Sequence, residues 1–229
     1  MSEPRFRLRV TYRKTGMLRF LSHLETVRAC ERSIRRAGLP YAVTHGFNPH
    51  MRIAFGPALP VGTAGLAEMY DLWVTQHVPA TEALARLAAV TREEIRPHAA
   101  RYVPLHAPSL AAAADVAHYE VVVSGNAEVP EALRRALDSI VASGELTVEH
   151  KGTQKVFEIA ATLLKEPVVR SSDGGAVVEV ATRMGEKGSL RPDALVKAAL
   201  SLADEDAVVA SVTRVRLAAS SHDGSESSL

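Results

Sequence analysis

The sequence predicts an α+β protein made of two tandem modules with antiparallel sheets. Runs in which apolar and polar residues alternate, such as residues 5–13, indicate half-buried strands. Runs with helical periodicity, bounded by capping residues and by Gly or Pro, indicate helices between those strands. The resulting order is β-α-β-β-α-β, and it recurs after a Pro- and Ala-rich segment. This order is that of the ferredoxin-like sandwich, so we expect two ferredoxin-like modules in one chain.

The first predicted strand, residues 5–13, has one apolar side and one basic side. The apolar residues are Phe6, Leu8, Val10 and Tyr12, and the basic residues are Arg5, Arg7, Arg9 and Arg13. Successive side chains of a strand point to opposite faces of the sheet. The pattern therefore predicts a strand with a basic face exposed to solvent.

The first predicted helix begins with a capping box, in which Ser22 is the N-cap and Glu25 is the third helical residue. The helix runs to about Ala37, and Gly38 and Pro40 end it. Its predicted apolar stripe contains Leu24, Val27, Cys30, Ile34 and Ala37. Another face has arginines at helical spacing, namely Arg28, Arg32, Arg35 and Arg36.

The rest of the first module alternates rigid loops with strands. The predicted order is an extended piece at 41–43, a loop at 45–50, a strand at 52–55, a Gly/Pro-rich loop at 56–62, a strand at 67–74, a helix to about 90 capped by Thr81, and a strand at 95–103. We therefore place the first module at residues 1–103 and a linker at 104–117.

The second module has the same order with one additional strand. The predicted strands are 118–124, 146–150, 155–159, 168–170, 176–182 and 208–217, and the predicted helices are 130–143 and 192–202, the latter capped by Ser189. The module spans residues 118–218. The polar segment 219–229 predicts a disordered tail.

Composition restricts the possible functions. The single cysteine, Cys30, excludes an internal disulfide and a cysteine-based zinc site. The sequence has no secretory signal pattern, no apolar run of membrane-spanning length and no Walker or dinucleotide motif, so we expect a cytoplasmic protein without a cofactor.

Charge is distributed unevenly along the chain. Residues 1–60 contain 11 Lys and Arg and three Glu, which gives +8; because the whole chain is +1, residues 61–229 carry −7. A basic region in a nearly neutral chain indicates an anionic partner, and RNA is the first candidate.

Candidate nucleic-acid-binding residues come from the basic strand, the basic helix and the neighbouring loops. They are Arg7, Arg9, Lys14, Arg19, Arg28, Arg32, Arg35, Arg36, Asn48 and Arg52. The chain lacks the aromatic ladder of single-strand binders and the RNP1 motif. We therefore expect binding to depend mainly on phosphate contacts, shape and loops.

Three histidines are candidates for catalysis, namely His23, His45 and His50. Histidine suits acid–base cleavage of an RNA phosphodiester, so a metal-independent endoribonuclease is an alternative hypothesis. A three-histidine metal site and a purely structural role remain open as well. The spacing is not that of a known metal motif, which favours a non-catalytic module.

Residues 5–73 resemble the radical-SAM-associated (radical-SAM-linked) proteins, a bacterial family of unknown function. The resemblance rests on Arg9, Tyr12, Lys14, Gly16, residues 18–24, 36–40, 46–50, 55–57 and 59–62, with later support from 189–196 and 213–217. A weaker similarity at the level of fold pattern links the chain to CRISPR repeat-associated RNA-processing proteins.

The family resemblance implies a partner, which is a cobalamin-dependent radical-SAM enzyme that acts on RNA or the ribosome. This chain has no CxxxCxxC motif, so it does not itself hold the iron–sulfur cluster of such an enzyme. The implied role is an accessory protein that presents an RNA substrate. A protein-only adaptor for the same enzyme is the remaining alternative.

Overall fold

The computed structural model describes residues 3, 5–150, 152–185, 189–220 and 226–229. Within this part, the chain divides into two compact units, the first ending at Ala114 and the second beginning at Asp115. The fold is mixed α+β, and every strand pair within the two units is antiparallel. No described helix is both long and apolar enough to span a membrane.

The first unit contains four strands and three helices. They are β1 (Phe6–Lys14), α1 (His23–Arg36), β2 (Ile53–Phe55), β3 (Ala64–Val74), α2 (Ala80–Val90), β4 (Pro97–Val103) and the single turn α3 (Leu110–Ala113). Short 3-10 turns at Gly16–Phe20 and Glu93–Ile95 precede α1 and β4.

The strands of the first unit are ordered β4-β1-β3-β2. Strand β1 is central, since Leu8 lies opposite both Leu72 of β3 and Tyr102 of β4. This register places Leu8, Val10 and Tyr12 on the face of the sheet that packs with Ile34 and Leu87 in the core. The helices therefore cover that face.

Helix α1 follows the predicted local signals closely. The Ser22 hydroxyl accepts a hydrogen bond from the Glu25 N–H, and the Glu25 carboxylate accepts one from the Ser22 N–H at 2.8 Å, so the capping box is confirmed. The buried face contains Cys30 and Ile34. Leu24, predicted to lie on the apolar stripe, is 66% exposed, because at about 100° per residue it lies on the side of Arg35 and about 120° away from buried Cys30.

The second unit is built from β5 to β11 and α4 to α6. The elements are β5 (Val116–Ser124), α4 (Val129–Ser143), β6 (Glu145–His150), β7 (Thr153–Glu158), the turn α5 (Ile159–Thr162), β8 (Val168–Ser172), β9 (Gly175–Arg183), α6 (Pro192–Ala203), β10 (Val208–Ser220) and β11 (Glu226–Ser228).

The main strands of the second unit are ordered β10-β5-β9-β8, and β11 pairs with β10. Strands β6 and β7 form a separate hairpin. Buried residues of α4 and α6, such as Leu133, Leu137 and Leu195, pack against Val121 and Val178 of the sheet. As in the first unit, two long helices share the core with a four-strand antiparallel sheet.

Two predicted helix caps are wrong. Helix α2 begins at Ala80 because the Ala83 N–H bonds to the Pro79 carbonyl, which leaves Thr81 inside the first turn. Helix α6 has Arg191 at the N-cap position instead of Ser189. In that helix the fixed φ of Pro192 suits the first helical position and sets the start.

The predicted linker and tail contain ordered elements. Within 104–117, Leu110 is buried in the α3 turn, and β5 already begins at Val116. Within 219–229, residues 219–220 continue β10 and Glu226–Ser228 pairs with it as β11, while 221–225 lie outside the described residues. Pairing with β10 provides these terminal residues with hydrogen bonds that sequence pattern alone does not predict.

Candidate nucleic-acid interface

Arg7 and Arg9 of β1 are buried on the side of the sheet opposite to Leu8, whereas Arg13, near the end of the strand, is partly exposed and pairs with Glu93. Arg7 and Arg9 are only 3% and 6% exposed, and Asp71 of β3 between them is fully buried. The Arg9 Nε donates to Asp71 Oδ1 at 2.8 Å, and the Arg7 Nη2 donates to Asp71 Oδ2 at 2.6 Å. Arg7 also donates to the carbonyl oxygens of Ala107 (2.5 Å) and Pro108 (3.0 Å).

The predicted exposure of Arg7 and Arg9 to solvent is therefore wrong. A charged group leaves water only when a partner of opposite charge and hydrogen bonds replace its hydration. Asp71 supplies the opposite charge for both guanidinium groups, because the register sets Arg9 opposite Asp71. This arginine–aspartate cluster is a structural element of the first unit, and its burial keeps both guanidinium groups away from a phosphate in solvent.

Lys14 is also buried, at 2% exposure, which contradicts its predicted place on the binding surface. Its ammonium donates to the Leu21 carbonyl at 2.7 Å, just before the N-cap of α1. A cavity of about 10 Å³, room for about one water molecule, lies here and is lined by Lys14, Tyr12, His23 and Glu68. Lys14 thus anchors the entry to α1 and leaves phosphate contacts to other residues.

The arginines of α1 occupy the opposite kind of environment. Arg28, Arg32, Arg35 and Arg36 are all exposed. Their spacing places them within about 100° of the helix circumference, away from buried Cys30 and Ile34. We call these four residues the α1 arginine face.

Few acidic groups neutralise the α1 arginine face. Arg35 pairs with Glu31 at 3.1 Å, an exposed pair of small energetic value. Among the described residues, Arg28, Arg32 and Arg36 have no carboxylate within 4 Å. The sequence has no acidic residue between Glu31 and Glu68. The face therefore presents a local excess of positive charge.

A second basic element is the loop at residues 44–52, which contains Asn48 and ends at Arg52. Arg52 is exposed, and its guanidinium carbon lies 4.9 Å from the ring centroid of Trp73. The Arg52 N–H bonds to Ala42 O, and the Trp73 N–H bonds to Arg52 O. Hydrogen bonds therefore hold the main chain of Arg52, and its exposed guanidinium group lies beside the Trp73 ring.

Arg19 belongs to an exposed segment that is rich in apolar side chains. Its guanidinium carbon lies 4.9 Å from the centroid of the half-exposed Phe20 ring. Three further apolar side chains near this segment in sequence or space are exposed, namely Met17, Leu24 and Val61. Within the described chain, the buried Arg19 Nε has no hydrogen-bond partner.

The three candidate catalytic histidines do not line one common cavity. His23 lies at the small cavity described above, with its ring edge-on to Phe55 at 5.7 Å between centroids. His45 and His50 are exposed in the 44–52 loop and do not line that cavity. In the described residues, no group of three or more His, Cys, Asp and Glu side chains is arranged to hold a metal ion.

Cys30 is not a candidate nucleophile. Burial raises the pKa of its thiol to about 12, so the thiolate is scarce at neutral pH. The residue packs as a small apolar side chain in the core of the first unit.

Sequence reasoning missed four residues that shape this region, namely Asp71, Glu68, Trp73 and Phe47. Glu68 and Asp71 lie within an otherwise apolar strand, and an acid in such a strand is a signal for a buried cationic partner. The role of Trp73 depends on its register with Arg7 and has no sequence signal. Phe47 is fully exposed at the tip of the 44–52 loop.

A family profile described as "Uncharacterized protein conserved in bacteria (DUF2344)" matches residues 7–192 of the chain. This match covers most of the chain and extends over both units. No curated protein matches the chain.

Two solved structures are similar to the chain. One is a chain of the "Crystal Structure of a Cbf5-Nop10-Gar1 Complex", with 10% identity, a TM-score of 0.50, and coverage of 92% of this chain and 48% of that chain. The other is from the "Crystal structure of the archaeal box H/ACA sRNP Nop10-Cbf5 complex", with 10% identity, a TM-score of 0.48, and coverage of 92% and 47%. The chain thus spans about half the length of these neighbours, and at 10% identity its likeness to the first of them concerns fold alone.

Proposed function

The chain belongs to this family of uncharacterized bacterial proteins, and we propose that it is an accessory protein that binds structured RNA. The observation that supports this proposal is the α1 arginine face, four exposed arginines on one side of a capped helix. Arg19, Asn48 and Arg52 of the adjoining sequence segments complete the proposed contact set. We also propose a cytoplasmic location, where structured RNA is available as a partner.

Arginine suits this role because its planar guanidinium group donates two parallel hydrogen bonds to phosphate oxygens. Such contacts fix the position of the RNA without reading its sequence. They also release counterions, so the affinity falls steeply with salt concentration. The buried Arg7, Arg9 and Lys14 are not part of the proposed contact set.

The finer part of the proposal concerns the partner. We propose that the protein presents RNA to a cobalamin-dependent radical-SAM enzyme in RNA or ribosome modification. This part rests on the resemblance of residues 5–73 to the radical-SAM-associated proteins. Co-purification of such an enzyme with the tagged protein from cells tests it, and an RNA complex without that enzyme contradicts it.

We further propose that each unit is a ferredoxin-like domain. Numbering only the four main strands of each unit in chain order, both sheets have the order 4-1-3-2, with two long helices between the strands. That order is expected for β-α-β-β-α-β modules in which each helix connects two parallel strands that flank a third. In the second unit, the β6–β7 hairpin is then an insertion before the second strand.

A protein-only adaptor is the second candidate function. The exposed apolar side chains Met17, Phe20, Leu24 and Val61 favour it, because exposed apolar groups near one another often mark protein contacts. Under this hypothesis the radical-SAM partner binds without RNA. The complex would then survive ribonuclease and have an absorbance spectrum typical of protein alone.

The decisive experiment measures binding of structured RNAs to the purified protein by fluorescence anisotropy between 50 and 200 mM salt. Wild type is expected to bind with an affinity that falls steeply with salt. The double variant Arg28→Glu and Arg32→Glu should reduce the salt slope by about 2 and the affinity by at least about tenfold at 100 mM salt.

A matched control reverses the same amount of charge on another exposed helix. Arg134→Glu and Arg135→Glu on α4 change two exposed arginines of the second unit. We expect this variant to bind nearly as well as wild type. Absence of binding at 50 mM salt, or an equal loss in both double variants, overturns the proposal.

A further inference from the structure

The tip of the 44–52 loop presents an aromatic ring to solvent. Phe47 is fully exposed. Of the other phenylalanines of the first unit, Phe20 is 48% exposed, and Phe6 and Phe55 are less exposed than that. An exposed ring contributes little to the folding of the unit, since its apolar surface remains in water. A ring in this position is available to a ligand.

The base of the loop is held in place by backbone pairing. Val43 and Met51 form an antiparallel bridge. The Thr44 N–H bonds to the His50 carbonyl at 2.8 Å, and the His50 N–H donates to Thr44 Oγ1 at 3.1 Å. Gly46 has a φ of +130°, which other residues rarely adopt, and it turns the chain towards Phe47. The loop that carries the Phe47 ring is therefore closed at its base by these hydrogen bonds.

Residues next to Phe47 in sequence carry groups that a nucleotide can contact. His45, Asn48 and His50 are exposed beside Phe47 in sequence, and the exposed Arg52 lies at the end of the loop beside the Trp73 ring. The Asn48 amide can both donate and accept hydrogen bonds, as base edges require, and Arg52 can bind phosphate. No acidic residue lies in the loop to repel a phosphate.

We propose that Phe47 stacks on an unpaired base of RNA, so that the 44–52 loop selects RNA with a single-stranded loop or bulge over fully paired RNA. Aromatic stacking requires a free base face, which a hairpin loop or a bulge provides and the stacked interior of a duplex does not. The inference rests on the proposed RNA-binding function. It adds a preference for unpaired nucleotides that phosphate contacts alone do not produce.

The test compares two RNAs with the same number of phosphates, a hairpin with an unpaired loop and a fully paired duplex. Phe47→Ala should weaken binding of the hairpin by about tenfold, in line with the loss of one stacked base, and leave duplex binding unchanged. Phe47→Trp should retain hairpin binding. Leu202→Ala removes an exposed apolar side chain of α6 and should affect neither RNA.

A direct readout uses 2-aminopurine in the hairpin loop, because stacking quenches its fluorescence. Wild type and Phe47→Trp should quench it, and Phe47→Ala should not. If Phe47→Ala weakens both RNAs equally or neither, or if quenching persists, the inference fails while the Arg28/Arg32 result still decides the proposed function. If wild type binds neither RNA, both proposals fail.

Discussion

Strand β1 and helix α1 both contribute arginines from the same basic stretch, yet the two sets lie in opposite environments. Arg7 and Arg9 of β1 are buried against Asp71, a residue more than 60 positions away in sequence. Arg28 and Arg32 of α1 are exposed. The start of this helix is fixed by a local capping box, which Ser22 and Glu25 form. The comparison shows that a count of basic residues does not measure a basic surface.

The difference has a physical origin in how each element is covered. A strand in the centre of a sheet has neighbours on both sides, and both faces of β1 are buried. A helix packed on one face of a sheet keeps its other side in solvent. Charge on a central strand therefore needs a partner inside the protein, whereas charge on the outer side of a helix remains available to a ligand.

The largest expected effect is a loss of stability on substitution of Asp71, the partner of the buried arginines of β1. Asp71→Asn leaves two buried guanidinium groups without an opposite charge and should lower the free energy of unfolding by about 3–5 kcal/mol in urea denaturation. Glu31→Gln, which removes the exposed partner of Arg35, should change it by at most about 0.5 kcal/mol.

If Asp71→Asn does not fold, replacement of the whole cluster keeps the prediction testable. The triple variant Arg7→Met, Arg9→Met and Asp71→Leu has no charge left in this cluster and should be folded and more stable than Asp71→Asn. A loss of less than about 1 kcal/mol in Asp71→Asn would show that the cluster is not the tertiary anchor that the comparison requires.

A smaller loss of stability is expected on removal of the N-cap at the start of α1, the helix that carries the α1 arginine face. Ser22→Ala removes the side-chain cap of α1 and should lower the free energy of unfolding by about 1 kcal/mol. Ser201→Ala, at an exposed position within α6, serves as the control and should be nearly neutral. Equal effects of the two substitutions would contradict a capping role of Ser22.

The smallest effect concerns pH. Hydrogen bonds from the Ser22 side chain and backbone, with a weaker contribution from Arg28, lower the pKa of Glu25 from its usual value of 4.5. A lowered pKa in the folded state means that the carboxylate stabilises the fold above about pH 4.5, and that this contribution is lost as the pH falls through the folded-state pKa.

Urea unfolding midpoints between pH 6 and pH 3.5 measure this contribution. Wild type should lose more stability over this range than Glu25→Gln, because the amide does not titrate. The same acid dependence in both proteins would show that Glu25 does not stabilise α1 through its charge.

The local parts of the fold could be predicted from the sequence, and the long-range parts could not. The α1 capping box, its end near Gly38, the hairpin turn before Gly175 and the Gly144 cap of α4 all depend on neighbouring residues, and all occur as expected or within a few positions. The caps at Thr81 and Ser189 were mispredicted, since proline at or beside the N-cap set those helix starts.

The candidate site shows the same division. The arginine spacing on α1 and the turn residues of the 44–52 loop are visible in sequence, because a helix period and a Gly–Pro pattern are local. The burial of Arg7, Arg9 and Lys14 is not visible in the sequence, because it depends on which strand pairs with β1 and in which register.

The sequence by itself determined the α+β class, the capped helix α1 and its row of arginines, and the excess of positive charge in the first 60 residues. Only the tertiary structure decided which of those charges face solvent. The pairing of β1 with β3 places Asp71 next to Arg7 and Arg9, and all three residues are buried. The arginines of α1 remain exposed to solvent. The physical reason is that desolvating a charge is costly, so a buried arginine must be matched by a specific partner from a distant part of the chain.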